Sequence, residues 1–178
     1  MRVVLTGTPG TGKTEAAKSL AVRGFSVTSV KELAEKCGAA EADGGDVEID
    51  VERLAGQIEK GDGAGIEGDD AKIVIEGHLA HHLPNDVCIV LRCDPNILRR
   101  RLEARGYSEE KVRENLEAEA VDLILVEAVE GCKKVFEVDA SELSVEEVAD
   151  AIESIIRGGS DCYPPGKVDW SQVVLDWY

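Results

Sequence analysis

Aromatic side chains are scarce in this chain: two Phe, two Trp and three Tyr make up 4% of its 178 residues. A core built on stacked rings is therefore excluded, and Val, Leu, Ile and Ala must supply the apolar interior. Positive charge is also in the minority, with 20 Lys and Arg against 36 Asp and Glu, a formal net charge of −16. Such a balance repels nucleic-acid phosphates and rules out a broad grip driven by counterion release, so any anion must be bound locally. Long apolar runs are missing too. The stretch after Met1 and Arg2 ends with Leu5, far short of the roughly 20 residues of a membrane span or of a secretion leader's core. The five cysteines, at 37, 88, 93, 132 and 162, form an odd set without paired spacing. Reduced thiols in a cytoplasmic protein are expected, not disulfides.

What is present is an alternation. Short apolar runs at Val3 to Leu5, Phe25 to Val27, Ile73 to Ile75, Val87 to Leu91 and Val135 to Val138 are separated by helical patterns. Those patterns cover Lys13 to about Arg23, Val30 to Cys37, Asp50 to Lys60, Pro95 to about Glu130 with a break near Arg105 to Ser108, and Val145 to Arg157. Strands that are apolar throughout, alternating with helices, imply a five-stranded parallel sheet buried on both faces, an α/β fold with ligands at the carboxyl ends of the strands. The glycine-rich, acidic stretch Glu59 to Lys72 reads as an exposed connector. Residues 158–178 hold both tryptophans and two of the three tyrosines, a density that predicts docking against the domain.

The segment GTPGTGKT, Gly7 to Thr14, carries the chemistry. An apolar strand precedes it and a helical AAKSLA follows, the context in which G-x-x-x-x-G-K-[ST] is a phosphate loop. Loop N–H groups and the start of the helix favour an anion, Lys13 reaches the β- and γ-phosphates, and the Thr14 hydroxyl faces Mg²⁺, as in P-loop NTPases. Glu15 would contact phosphate through its backbone N–H alone. At the end of the run Ile73 to Ile75 stands Glu76, placed to hold Mg²⁺ or its water shell, and then His78. The histidine either orders a water near the γ-phosphate or hydrogen-bonds to close the strand end. His81 and His82 read as surface residues.

A second basic feature lies in PNILRRRLEARGYSEEKVRENL, Pro95 to Leu116. Arg101 and Arg105, four apart, share a helix face that can turn toward phosphates and stabilise transferring charge, or else form a solvated basic face. Arg99 and Arg100 read as the exposed members.

Together GTPGTGKT, the E-x-H of Glu76-Gly77-His78 and the R-L-E-A-R-G-Y of residues 101–107 resemble the sixth adenylate kinase isoform family, small kinases and ATPases of archaea and eukaryotic nuclei. The resemblance runs from Val3 to about Glu130. It implies nucleoside-monophosphate kinase chemistry, a side ATPase activity, and a role in small ribosomal subunit maturation through a ribosomal protein partner. By the same resemblance Gly10, Thr11, Gly12, Lys13, Thr14 and Glu15 would bind ATP, and Arg105 would be the arginine of a lid spanning about 101–111. The monophosphate-binding segment would lie at about 29–51 within a kinase domain of residues 1–157. Two positions depart from the family pattern. Glu76 stands where aspartate is usual, and Glu35 where relatives carry the arginine that holds the monophosphate, so Lys31, Lys36, Arg53 or Arg92 must substitute.

Other readings remain. A GTPase needs [NT]-K-x-D, and the nearest match, Gly166-Lys167-Val168-Asp169, has glycine at the wrong place. A kinase for another small acceptor fits the fold equally. An ATP-dependent assembly factor, its acidic surface suited to a basic ribosomal partner, would use nucleotide to switch an interface.

Overall fold

The computed structural model describes residues 1–43, 46–61 and 72–177. In chain order the elements are β1 (Arg2–Thr6), α1 (Lys13–Val22), β2 (Ser26–Ser29), α2 (Val30–Lys36), β3 (Ala40–Asp43), β4 (Asp46–Ile49) and α3 (Val51–Lys60). They continue with β5 (Ile73–Glu76), β6 (Val87–Arg92), α4 (Pro95–Ala104), α5 (Glu109–Ala120), α6 (Leu123–Gly131), β7 (Val135–Asp139), α7 (Val145–Ile156) and α8 (Ser171–Leu175). The main sheet has five parallel strands in the order β2-β5-β1-β6-β7, as the alternation of apolar runs predicts. The acidic connector falls largely at residues outside those described.

Alternation along β1 divides the core between the two faces of the sheet. Val3 and Leu5 pack with Leu20 of α1 and Ile152 of α7, while Val4 packs with Leu33, Leu54 and Leu125 from the helices of the other face. β1 is fully covered because it lies between β5 and β6, and its end is therefore fixed in position. β2, at the sheet edge, is half-exposed, and its pairing with β5 begins at Ser26 rather than at the apolar Phe25. Among the described residues no helix is long and apolar enough to cross a membrane, and all five cysteines are free thiols.

Two local features differ from expectation. The short antiparallel pair β3 and β4, with the acidic sequences AEAD and DVEI, carries too little apolar pattern to announce a strand. The helical region after Pro95 breaks twice. Beyond the break at Arg105 to Ser108, α5 stops at Val121 and α6 restarts after Asp122, whose φ is 59°. A left-handed non-glycine residue is strained, and here the strain is offset because the Asp122 carboxylate accepts from Arg92.

Arg92 itself corrects a sequence expectation. It was a candidate for the monophosphate, yet it is 1% exposed at the end of β6. Its guanidinium donates to Glu119 at 2.8 Å, to Glu137 at 2.7 Å and to Asp122. Glu119 also accepts from the Thr8 hydroxyl at 2.5 Å and from the Trp170 indole N–H at 3.2 Å. Glu137 takes the backbone N–H groups of Lys167 at 2.8 Å and Val168 at 3.2 Å. Residues 163–177 thus lie against the domain through this cluster and through Trp177, which packs beside Leu98 and Leu102.

Removing one member of a buried ion cluster strands the others, at a cost of about 3–5 kcal/mol. Arg92→Ala should lose that much in urea denaturation, whereas Trp170→Phe, which deletes one hydrogen bond, should lose about 1 kcal/mol. Equal losses in the two variants would contradict this hierarchy.

Candidate functional site

The phosphate loop connects β1 to α1, and its glycines answer two different requirements. Gly7 and Gly10 leave room for close neighbours: a Cβ on Gly7 would lie 2.3 Å from the carbonyl oxygen of Leu91, and one on Gly10 would lie 2.7 Å from Leu98 Cδ1 and 3.0 Å from Leu102 Cδ2. Gly12, with nothing near it, supplies a φ of 101° that an L side chain resists. α1 therefore begins directly at Lys13, its first N–H groups facing the loop.

Lys13 is 7% exposed, and its Nζ donates to the carbonyls of Gly7 at 2.6 Å and Thr8 at 2.9 Å. Burial lowers its pKa to about 8, with Glu76 and Glu119 pulling it back up. Thr14 Oγ1 lies 3.4 and 3.5 Å from the two oxygens of Glu76. Burial raises the Glu76 carboxyl above the usual carboxylate range, with the Lys13 charge opposing. His78 is exposed and lines the same cleft as Glu76. Desolvation, reinforced by the Lys13 ammonium, holds its imidazole below the usual histidine range and thus neutral. Its carbonyl accepts from Thr6 Oγ1 at 3.2 Å.

Two hollows flank the loop. The larger, about 490 Å³, brings together Gly10, Gly12, Lys13, Thr14, Glu76 and His78 with Arg105 and Tyr107 on one side and Ser29, Lys31 and Ile49 on the other. The smaller, about 260 Å³, joins Gly10, Thr11, Gly12 and Glu15 to Arg101, Arg105 and an apolar wall of Ala140, Leu143, Val145 and Val148. The Glu15 carboxylate is 2.7 Å from Lys18 Nζ, on the exposed face of α1. Arg101 donates to the carbonyls of Ala140 and Ser141, both at 3.3 Å. It thereby braces the wall of the smaller hollow. Arg105, exposed at the end of α4, borders both hollows.

Of the candidate monophosphate cations, Lys31 lines the larger cleft. Arg53 is exposed on α3, its guanidinium toward Gly38, and Lys36 is exposed in the last turn of α2; neither lines either of the two hollows beside the loop. Arg92 is enclosed as described above. His81, expected at the surface, is 5% exposed; it turns inward because Thr6 Oγ1 and Glu127 meet its two ring nitrogens, each at 3.0 Å. Sequence reasoning did not single out Tyr107 or Ile49, which lie inside the expected lid and monophosphate segments, and it missed the Ala140 to Val148 wall, which follows β7 and lines the smaller hollow beside the loop. It also missed Glu119, whose link to Thr8 spans 111 residues.

The family description "AAA domain" matches residues 3–122. A protein of Archaeoglobus fulgidus named "Putative adenylate kinase" is 50% identical over 180 residues, covering 99% of this chain and 95% of that one. Its namesake from Thermococcus onnurineus is 43% identical over 173 residues, covering 97% and 92%. Among solved structures, the YorR protein of Bacillus subtilis, in complex with phosphorylated GDP, aligns with a TM-score of 0.60 at 14% identity over 88% of this chain and 96% of that one. An uncharacterized protein of Eubacterium ventriosum gives 0.54 at 16% identity over 88% and 98%. At such identities these structures support the fold alone.

A lysine with a pKa near 8 has a visible pH signature. Below about pH 8 Lys13 is charged and its burial opposes folding; above that value the folded protein sheds a proton that the unfolded chain keeps until its ordinary pKa near 10.5. Stability should therefore gain a rising contribution from Lys13 between those values. Polyphosphate affinity should move the opposite way, flat below pH 8 and falling by up to about tenfold per pH unit above it, because the anion selects the charged lysine. Calorimetric titration across pH 7 to 10 checks the sign, and Lys13→Ala should flatten the curve.

Proposed function

We propose that this chain, which belongs to the AAA domain family and groups with the archaeal proteins named adenylate kinases, transfers the γ-phosphoryl group of ATP reversibly to AMP or another nucleoside monophosphate. A nucleotide-kinase-like function comes with that membership; the acceptor and the roles of single residues are the proposal. The observation that carries it is the larger cleft, in which the phosphate loop, Glu76 and Arg105 share one space with a wall from Ser29, Lys31 and Ile49. A second nucleotide can meet the end of a triphosphate there.

In this reading the loop N–H groups and Lys13 hold the β- and γ-phosphates. The Thr14 hydroxyl and the Glu76 carboxylate present hard oxygens to one region, a donor set that fits Mg²⁺. When bound, the ion would offset phosphate charge. A phosphate oxygen of the monophosphate attacks the γ-phosphorus, the bond to the β,γ-bridging oxygen breaks, and ADP leaves with that electron pair. Arg105, and Arg101 beside it, stabilise the charge on the transferring group. The smaller hollow, apolar on its far side, suits the adenine of ATP. Neutral His78 can orient a water in place of the acceptor, which gives the side ATPase activity. Lys31 would approach the monophosphate, with residues 29–51 as its binding segment and residues 101–111 as the lid.

The E-x-H and R-L-E-A-R-G-Y motifs support placement in the isoform six family, with a cytoplasmic role in small ribosomal subunit maturation. The net charge of −16 suits a basic small-subunit ribosomal protein as partner. One observation favours a second reading, an ATPase switch with incidental kinase activity. Lys36 and Arg53 are exposed and Arg92 is enclosed, so Lys31 alone of the four candidate acceptor cations lines the cleft.

Coupled assays separate the two. ATP with AMP, CMP, GMP or UMP should yield ADP far faster than ATP alone, whereas equal rates, together with a nucleotide-dependent pull-down of a ribosomal protein, would favour the switch. Lys13→Ala should abolish turnover in both. Arg105→Ala should lower kcat by about a thousandfold with little change in ATP binding, and an unchanged kcat would remove Arg105 from the reaction.

A further inference from the structure

Beyond the cleft residues His78 and Leu79, three ligating side chains converge that do not line the cleft. His81 and His82 stand side by side on the turn after β5, their rings 3.9 Å apart between centroids. Glu127 reaches toward them from α6, its Oε2 3.0 Å from His81 Nε2 and 4.0 Å from His82 Nε2. All three ligand atoms lie within 4.8 Å of one another. For a tetrahedral ion with bonds near 2.1 Å, neighbouring ligand atoms are about 3.4 Å apart, and the two measured spacings bracket that value.

Thr6 Oγ1 lies 3.2 Å from the carbonyl oxygen of His78 and 3.0 Å from His81 Nδ1, and its one proton serves one of the two. When it goes to the His78 carbonyl, Nδ1 carries the ring hydrogen and Nε2 presents a lone pair beside Glu127 Oε2, the arrangement a metal ion takes. With no ion, Nε2–H donates to the same carboxylate. A hydrogen-bond partner on Nδ1 is the usual way a protein orients a metal-bound histidine.

We propose that His81, His82 and Glu127 form a binding site for a zinc-class dication, Zn²⁺ or its Co²⁺ and Ni²⁺ analogues, with a fourth position open to water. Two imidazoles and one carboxylate select such ions, whereas the all-oxygen pair of Thr14 and Glu76 suits Mg²⁺. The ion would join α6 to the turn that closes β5, the strand bearing Glu76.

The test is calorimetric titration of Zn²⁺ into full-length protein stripped with a chelator, in excess Mg²⁺, with Co²⁺ absorption as a second readout of geometry. One ion per chain should bind, raise the Tm, and give tetrahedral Co²⁺ bands. His82→Ala and Glu127→Gln, at partly exposed positions that should leave the fold intact by circular dichroism, should each weaken binding by about tenfold or more. Lys13→Ala should bind zinc as well as the unmodified chain does. Cys132→Ser should also retain the site, because the Cys132 thiol contacts the His81 carbonyl, at 3.3 Å, and not the ring. No uptake of zinc, unchanged affinity in both ligand variants, or loss of the site in Cys132→Ser would each overturn the assignment.

Discussion

The loop between β1 and α1 rests on a buried ion cluster through the hydrogen bond from Thr8 to Glu119. Arg92 lies under the sheet's carboxyl end with Glu119, Glu137 and Asp122 around it, so one cation faces three carboxylates. That excess of negative charge is tolerable because neutral donors complete the shell. The hydroxyl of Thr8, the indole of Trp170 and the backbone N–H groups of Cys93, Lys167 and Val168 all point at those carboxylates. A buried charge needs such pairing. Here the pairing also fixes Thr8, the second residue of the glycine-rich loop.

The same cluster marks the limit of what the sequence could convey. An arginine directly after the apolar run Val87 to Leu91 stands where strand-end ligands of this fold class are found, and position along the chain cannot reveal that carboxylates from α5 and β7 converge on it. The phosphate loop was legible because its requirements are local: glycines, a lysine and a hydroxyl at fixed spacing between a strand and a helix. The parallel sheet was legible because strands covered on both faces leave continuous apolar runs. β3 and β4 were not, since a short acidic hairpin has no buried face to write into its pattern. His81 shows the limit again. Two adjacent histidines look alike in sequence; Glu127 from α6 approaches both, and it is the contact of His81 with Thr6 at the end of β1 that sets the internal one apart.

Contact between Gly10 and α4 carries a mechanical implication for the arginines. Leu98 and Leu102 lie so near the loop that even a methyl group on Gly10 would collide with them. The base of α4 is thus seated on the phosphate loop, and Arg101 is tied to the carbonyls beyond β7. Arg105 caps α4 and Gly106 follows with a φ of 76°, so the packed helix ends at Arg105. In the proposed reading, a lid would move beyond these anchors, with Arg105 approaching the ligand while Arg101 stays tied to the wall.

The hydrogen bonds around Glu119 also set an order of events during synthesis. Thr8 is 111 residues from Glu119, and Trp170 is a further 51 along the chain. A nascent polypeptide leaving the ribosome presents the glycine-rich turn well before its supporting carboxylate, and the indole later still. Contacts of such long range form slowly and after local ones. The turn is therefore made long before the residues that support it and takes its mature shape only after them.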